Sequence, residues 1–429
     1  MTAPAGPRTF EPDLLWNGRG FSRGTFRVRS GVIEAWGGAA PDAAIVQRLP
    51  GLAVLPGFVN SHSHAFQRLL RGRAERPEPQ GSFWTWRAQM YRLVEQLTPE
   101  LLEECTTLAY RELRDAGYTR VKEFHYLHHG KGGVPYQDPN ELALRVRAAA
   151  ERAGIRLELL RAVYLRGDEP AQARFRDHSL DAALARTEAL AATGLRVGLA
   201  PHSVRAVPRE ALGEAAAWAR DRGMELHMHL AEQPREVDQC LAETGLRPVE
   251  LAAERGMLGR SFVGVHLTHL APHEARAVGE AGATACLCPT TEANLGDGLP
   301  ALDALVTAGA RLAIGSDSQA HIDPFLELRG VEYHGRLAAL ARTRLHPVEL
   351  LKSALEPHAV GDEARWVAVR LDDPALADVP VERLADGLVM SATRGVIALT
   401  AVGDDVRPVD PSLGPDLRAF RGRYPGLGS

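Results

Sequence analysis

Cysteine is scarce: four residues in 429 do not make a disulfide framework, so the fold has to stand on its core. No stretch approaches the ~20 apolar residues that a membrane span requires. The N-terminus, MTAPAGPRTFEPDLLW, lacks a basic region followed by a long apolar run, so no signal peptide is expected and the cytoplasm is the expected location. Runs of one charge are missing as well. The net charge of −4 and pI of about 6.5 come without a basic tract, which excludes a nucleic-acid partner from the expected functions. There is no low-complexity tract and no internal repeat beyond an alternation of strands and helices.

What is there is the balance of a soluble globular protein, with 45% apolar and 24% charged residues. A chain of 429 residues holds two ordinary domains, or one barrel and a smaller accessory domain. Short β-like runs occupy 52–64, 118–126, 155–164, 195–203, 224–232, 261–269, 283–291 and 311–318. Most are near-continuous apolar runs, as parallel strands buried on both faces require. Between them, stretches such as 99–117, 138–154 and 211–223 carry apolar residues at helical spacing, and several stop at a glycine. Eight βα units in succession predict an α/β fold closed into a (β/α)8 TIM barrel.

The flanks differ. Short alternating runs with Gly and Pro turns fill 12–54, and the tail holds ARWVAVRL, DGLVMSA and GVIALTAVG. Both ends read as β-hairpins, and neither has strands enough for a stable sheet alone. The expected organisation is a small β-sandwich domain composed of 1–55 and 357–429, beside a metal-dependent barrel at 56–356. The final stretch, DDVRPVDPSLGPDLRAFRGRYPGLGS, is rich in Pro and Gly and is expected to be partly loose.

Polar residues of chemical interest gather at the C-terminal ends of the expected strands, where barrel enzymes carry their catalytic groups. In PGFVNSHSH, His62 and His64 lie two apart and so share one strand face. HMHLAE offers His227, His229 and Glu232; HLTH offers His266 and His269; GSDS offers Asp317. Each has a plain alternative, Asp317 as a helix cap or turn residue for instance. Four separate strand ends with ligand-type residues outweigh those alternatives. Nitrogen ligands with a carboxylate suit Zn²⁺ or a similar ion, and an adjacent glutamate suits proton transfer. Cys286 and Cys288, a C-x-C pair, read as buried strand positions ahead of metal ligands.

PGFVNSHSH, HMHLAE, VHLTH and GSDS resemble the amidohydrolase superfamily in its deaminase branch, over about residues 52–350. The resemblance implies one zinc ion per subunit on His62, His64, His229 and Asp317, with Glu232 as proton shuttle and His266 polarising the attacked group. The second strand ends in VKEFHY, without the lysine that would be carboxylated to bridge two metals, which fits a mononuclear site. HSHAFQR, SFWTWRAQMYR, KEFHYLHH, LAPHSVRAV and CPTTEANLGDG together resemble the formimidoylglutamate deiminase family. That narrower resemblance implies hydrolysis of N-formimino-L-glutamate to N-formyl-L-glutamate and ammonia, in histidine degradation, by a metal-activated water whose proton Asp317 accepts. It adds Gln67, Tyr126 and His202 to the substrate shell and implies a homodimer. A small substrate with two carboxylates needs fixed cations, and Arg87 and Arg205 each offer a bidentate fork. Arg87 stacked on a neighbouring tryptophan, Arg205 as a surface arginine and Tyr126 as a buried barrel tyrosine are the plainer alternatives.

Three departures from the family stand out. The run LRGDEPAQARF after Tyr164 is short, Gln319 follows GSDS where histidine is usual, and EPHAVGDEARWVAV lacks a longer Gly-containing lead-in. The first two are expected at the site's mouth. Two other functions remain open: a deaminase of a cyclic base such as guanine or cytosine, and a non-catalytic metal- or ligand-binding barrel.

Overall fold

The computed structural model describes residues 6–38, 46–75 and 81–428. Eight parallel strands follow one another in chain order: β1 (Phe58–Ser63), β2 (Tyr118–His125), β3 (Arg156–Val163), β4 (Val197–Pro201), β5 (Leu226–Leu230), β6 (Phe262–His266), β7 (Thr284–Leu287) and β8 (Arg311–Ile314). The ring closes between its ends. Ser63 bridges Asp317 in parallel, with the His64 amide donating to the Asp317 carbonyl at 2.9 Å and the Asp317 amide to the His62 carbonyl at 3.0 Å. Closure brings Gly315 so near His62 that a β-carbon there would lie 2.7 Å from the His62 Cβ.

Local signals place the surrounding helices. Thr98 caps Pro99–Asp115 by accepting from the Leu101 amide, with proline at the first turn, where its missing N–H costs nothing. Gly154 ends Glu141–Ala153 in the left-handed conformation that favours glycine.

Both chain ends join one eight-stranded mixed sheet. Its centre pairs Val46–Pro56 antiparallel with Arg365–Arg370 and parallel with Arg8–Trp16. Arg365–Arg370 and Phe26–Arg29 are separated along the sheet by two strands. Yet the Trp366 and Phe26 ring centroids are 5.2 Å apart, and both rings lie against Phe10. The sheet therefore curls over, and its inner faces enclose a small core of their own.

Three sequence expectations change. The single run 52–64 is two strands in two different sheets, with the handover at Gly57, where a β-carbon would lie 2.1 Å from Thr119 Oγ1. The first five residues of DGLVMSA are helical, in Leu384–Met390, because Leu384, Ala385, Leu388 and Val389 form one apolar helix face buried in the barrel's cluster. The C-terminal stretch is ordered by strand Asp405–Pro408 and helix Leu413–Arg423, anchored through buried Leu413, Phe420 and Leu427. Among the described residues no helix is long and apolar enough to cross a membrane.

Candidate active site

His62 and His64 project from the end of β1, His229 from β5, and Asp317 from the turn after β8. All four are buried. His229 Nε2 lies 3.0 Å from His62 Nε2 and 3.4 Å from His64 Nε2. Asp317 Oδ1 lies 3.5 Å from His62 Nε2 and 3.4 Å from His64 Nε2. Tetrahedral zinc with bonds of about 2.0–2.1 Å needs ligand atoms about 3.3 Å apart, so this donor set fits such an ion. Two of the three far ring nitrogens are occupied, His64 Nδ1 at 2.9 Å from the Phe124 carbonyl and His229 Nδ1 at 2.9 Å from the His202 carbonyl, while His62 Nδ1 is buried without a partner. A carbonyl only accepts, so in His64 and His229 Nδ1 carries the hydrogen and Nε2 presents a lone pair.

Electrostatics agree with that use. Burial pushes His62 below its usual range, His64 down to about 3, and His229 well down. Burial opposes ionisation of Asp317, but the hydrogen bond and charge of His62, with His266 and His64, hold its carboxyl well below the usual range. His266 goes the other way. Against burial, Glu232, Glu292 and Asp317 raise it well above an ordinary imidazole.

Above this cage His266 Nε2 lies 3.8 Å from Glu232 Oε1 and 3.7 Å from Asp317 Oδ2. Glu232, His266 and Asp317 line one cavity together with Gln67, Arg87, Tyr126, His202 and Arg205. The residues expected as metal ligands, proton carriers and substrate shell thus reach the same cage or cavity. His227 and His269 do not: His227 Nε2 faces Glu225 at 3.0 Å, and His269 Nε2 donates to the Asp297 carbonyl at 2.8 Å. Cys286 and Cys288 are buried in the barrel interior, with only Cys288 near ligand-type groups.

The pattern of the amidohydrolase family matches residues 53–355. The formimidoylglutamate deiminase of Pseudomonas aeruginosa is 45% identical over 319 residues, covering 71% of this chain and 70% of that one. The chain belongs to the amidohydrolase family. A crystal structure of an amidohydrolase from Brucella melitensis superposes with a TM-score of 0.88 at 31% identity, covering 98% of this chain and 100% of that one. An adenosine deaminase from Xanthomonas campestris, solved with bound zinc, shares the fold at a TM-score of 0.82 and 23% identity, over 97% and 98% of the two chains.

Within this amidohydrolase, the two arginines differ. Arg205 Nη2 is 3.4 Å from Glu232 Oε2 and 3.7 Å from Glu236 Oε2, so its charge already has two partners. Arg87 lies over the Trp84 ring at 4.5 Å and the Tyr91 ring at 5.4 Å, with no acidic partner within 4.0 Å among the described residues. It both stacks on tryptophan and faces the cavity. Gln67 Nε2 donates to Tyr126 Oη at 2.8 Å, and Gln67 Oε1 is buried without a partner.

Sequence reasoning missed Tyr91, Tyr164 and Gln172, whose amide joins the two phenols at 3.0 and 2.6 Å in the cavity wall. Tyr164 follows β3, so the strand-end rule that found the histidines would have found it too. Tyr91 sits on helix Phe83–Gln96 one turn after Arg87, and Gln172 sits in the short loop; neither has a local mark. Gln319 was expected at the mouth and instead faces inward. It is buried at φ +61°, its Nε2 donates to Ser63 Oγ at 2.9 Å, and its Oε1 accepts from Ser316 Oγ at 2.9 Å. Ser63 in turn donates to Glu123 at 2.5 Å, so Gln319 braces the strand that carries the histidines.

Proposed function

We propose that this chain hydrolyses N-formimino-L-glutamate to N-formyl-L-glutamate and ammonia, with one zinc ion held by His62, His64, His229 and Asp317. The observation that carries the reading is that His229 Nε2 lies 3.0 and 3.4 Å, and Asp317 Oδ1 3.5 and 3.4 Å, from the Nε2 atoms of His62 and His64, beneath a cavity lined by two arginines. The 45% identity to a formimidoylglutamate deiminase supports the substrate. A bound zinc ion supplies the Lewis acidity that brings the pKa of water towards ~7.

The residues then divide the work. Asp317 takes the proton of the water that attacks the formimino carbon. His266 Nε2 faces that carbon's substituents and offsets the charge that develops there. Glu232 relays the two water protons to the formimino nitrogen, the first from Asp317 as the carbon is attacked and the second from the new hydroxyl as it becomes the formyl oxygen; the carbon–nitrogen bond breaks and ammonia leaves. Arg87 and Arg205 hold the two carboxylates, which fixes the reacting carbon over the cage. Gln67, Tyr126 and His202 complete the wall around the substrate.

One observation favours the cyclic-base alternative: Arg205 is already counter-charged, and Phe83, Trp86, Tyr91 and Tyr164 offer ring faces in the cavity. Ammonia release by the zinc-loaded protein decides between them. Release from N-formimino-L-glutamate and not from guanine or cytosine is the expected result. Turnover of a base with silence on the formimino compound keeps the cage and overturns the substrate.

A further inference from the structure

His266 leaves β6 at φ +70° and Leu267 follows at +52°, two successive non-glycine residues in the left-handed region. That backbone is fastened on both sides: the Leu267 amide donates to the Leu230 carbonyl at 3.1 Å and the His269 amide to the Ala231 carbonyl at 2.9 Å. The turn points the imidazole across the barrel mouth, and its two nitrogens meet different surroundings. Nε2 faces Glu232 and Asp317 at 3.8 and 3.7 Å. Nδ1 faces away from the cavity, 3.3 Å from Glu292 Oε1.

Glu292 belongs to the helix Pro289–Leu295 that follows β7, and it is fully buried. Its Oε1 also accepts from the Cys288 amide at 2.8 Å, while Oε2 is buried with no partner. The contact with Cys288 caps the helix, and a neutral amide oxygen would serve there equally well. The cap therefore leaves unexplained why an acid sits here. Oε1 already faces its other neighbour as an acceptor, and a ring nitrogen that faces an acceptor has to carry hydrogen.

We infer that Glu292 is a positioning residue: it holds the His266 imidazole with Nδ1–H towards the helix, so that Nε2 is kept facing the reacting carbon. The inference rests on the reading of His266 as the group that acts on the attacked centre. Nothing in it depends on which substrate is taken. The arrangement is that of a histidine oriented through its far nitrogen by a buried carboxylate; for metal-bound histidines held in this way, loss of the partner costs about 10- to 100-fold.

Two experiments test it. In protein labelled with [15N]histidine, with His266 assigned by its disappearance in His266→Ala, Nδ1 of His266 is expected to be protonated in the wild type. That preference should be lost in Glu292→Leu. A wild-type Nδ1 without hydrogen overturns the inference, whatever the substrate. The second is a double-mutant cycle on ammonia release. Glu292→Leu is expected to lower kcat about 10- to 100-fold with KM within about twofold, and Glu292→Gln, which keeps an acceptor for both neighbours, to recover part of it. Zinc content and thermal midpoint should hold in the Gln variant. In a His266→Ala background, Glu292→Leu should cost nothing further, because it acts through the missing ring. Multiplying losses would mean that Glu292 works through the fold, and the inference would fail. Silence of the wild type on N-formimino-L-glutamate with a protonated Nδ1 would instead fail the substrate reading alone.

Discussion

Arg87 and Arg205 present one guanidinium each to the cavity in different electrostatic states. A carboxylate arriving at Arg205 must share it with Glu232 and Glu236, whereas Arg87 is stacked on rings and has no acidic partner within 4.0 Å among the described residues. Truncating Arg87 therefore removes binding without uncovering a buried acid. Arg87→Ala is expected to raise KM for the formimino compound roughly 10- to 100-fold, about 1.4–2.8 kcal/mol, with a smaller change in kcat. Steady-state kinetics check this, and an unchanged KM would remove Arg87 from the substrate shell. Glu232→Gln keeps the shape and loses the transferable proton. Its kcat should fall by roughly 10²–10⁴ while bound zinc stays stoichiometric by metal analysis.

At the scale of elements, Gly57 is where the chain leaves one sheet for the other, and the approach to Thr119 leaves no room for a side chain. Gly57→Ala should lower stability by about 1–3 kcal/mol through overpacking, read as a drop in thermal midpoint. A midpoint equal to wild type would mean that the junction yields. The helix Leu384–Met390 teaches a related lesson. Seven residues with both strand and helix character are ambiguous in isolation, and the apolar face packing into the barrel cluster decided the outcome. The number and order of the barrel strands were legible, because apolar continuity is a local property, but the runs expected to 269, 291 and 318 end at His266, Leu287 and Ile314. The handover at Gly57 was not, because LAVLPGFVNSHSH is apolar across both sheets.

The whole molecule carries a pH dependence in its buried histidines. His125 and His128 are buried beside Arg161, itself tied to Asp177. Burial, then the Arg161 charge, lowers His125 to about 3 and His128 well below its usual value. An unfolded histidine titrates near ~6.5, so below that pH the unfolded chain binds more protons than the folded one. Stability is thus fully present above pH ~6.5 and declines as pH falls from there towards about 3. The contribution of His125 is on the order of a few kcal/mol once the unfolded form is fully protonated. Thermal melts of metal-free protein should show a midpoint falling with acid, and His125→Phe should flatten that slope. A slope unchanged by the substitution would rule out His125 as the titrating group.

Removing the metal tests the molecule as a unit too. The cage draws on β1, β5 and the turn after β8, so an ion bound there ties the two ends of the barrel to its middle. Chelation is expected to lower the thermal midpoint, by about 2.7 kcal/mol of stability if free metal had stood at a hundredfold its dissociation constant. Added zinc should restore it.

Local chemistry was enough to determine the βα succession and to single out the three histidines and the aspartate that the closed barrel brings together. Two histidines on one strand face, or a carboxylate three residues past a histidine, are set by backbone geometry over a few bonds. What only the tertiary structure decided are relations between strand ends that closure brings together. Asp317 meets His62 across the barrel seam, Gln319 turns inward to brace Ser63, and Glu236 joins Glu232 on Arg205. Tyr91, Gln172 and Tyr164 meet in one wall from separate segments. Apart from Gln172–Tyr164, eight residues apart, these contacts span tens to hundreds of residues. Their partners are selected by a shared cavity that exists only once the ring is closed.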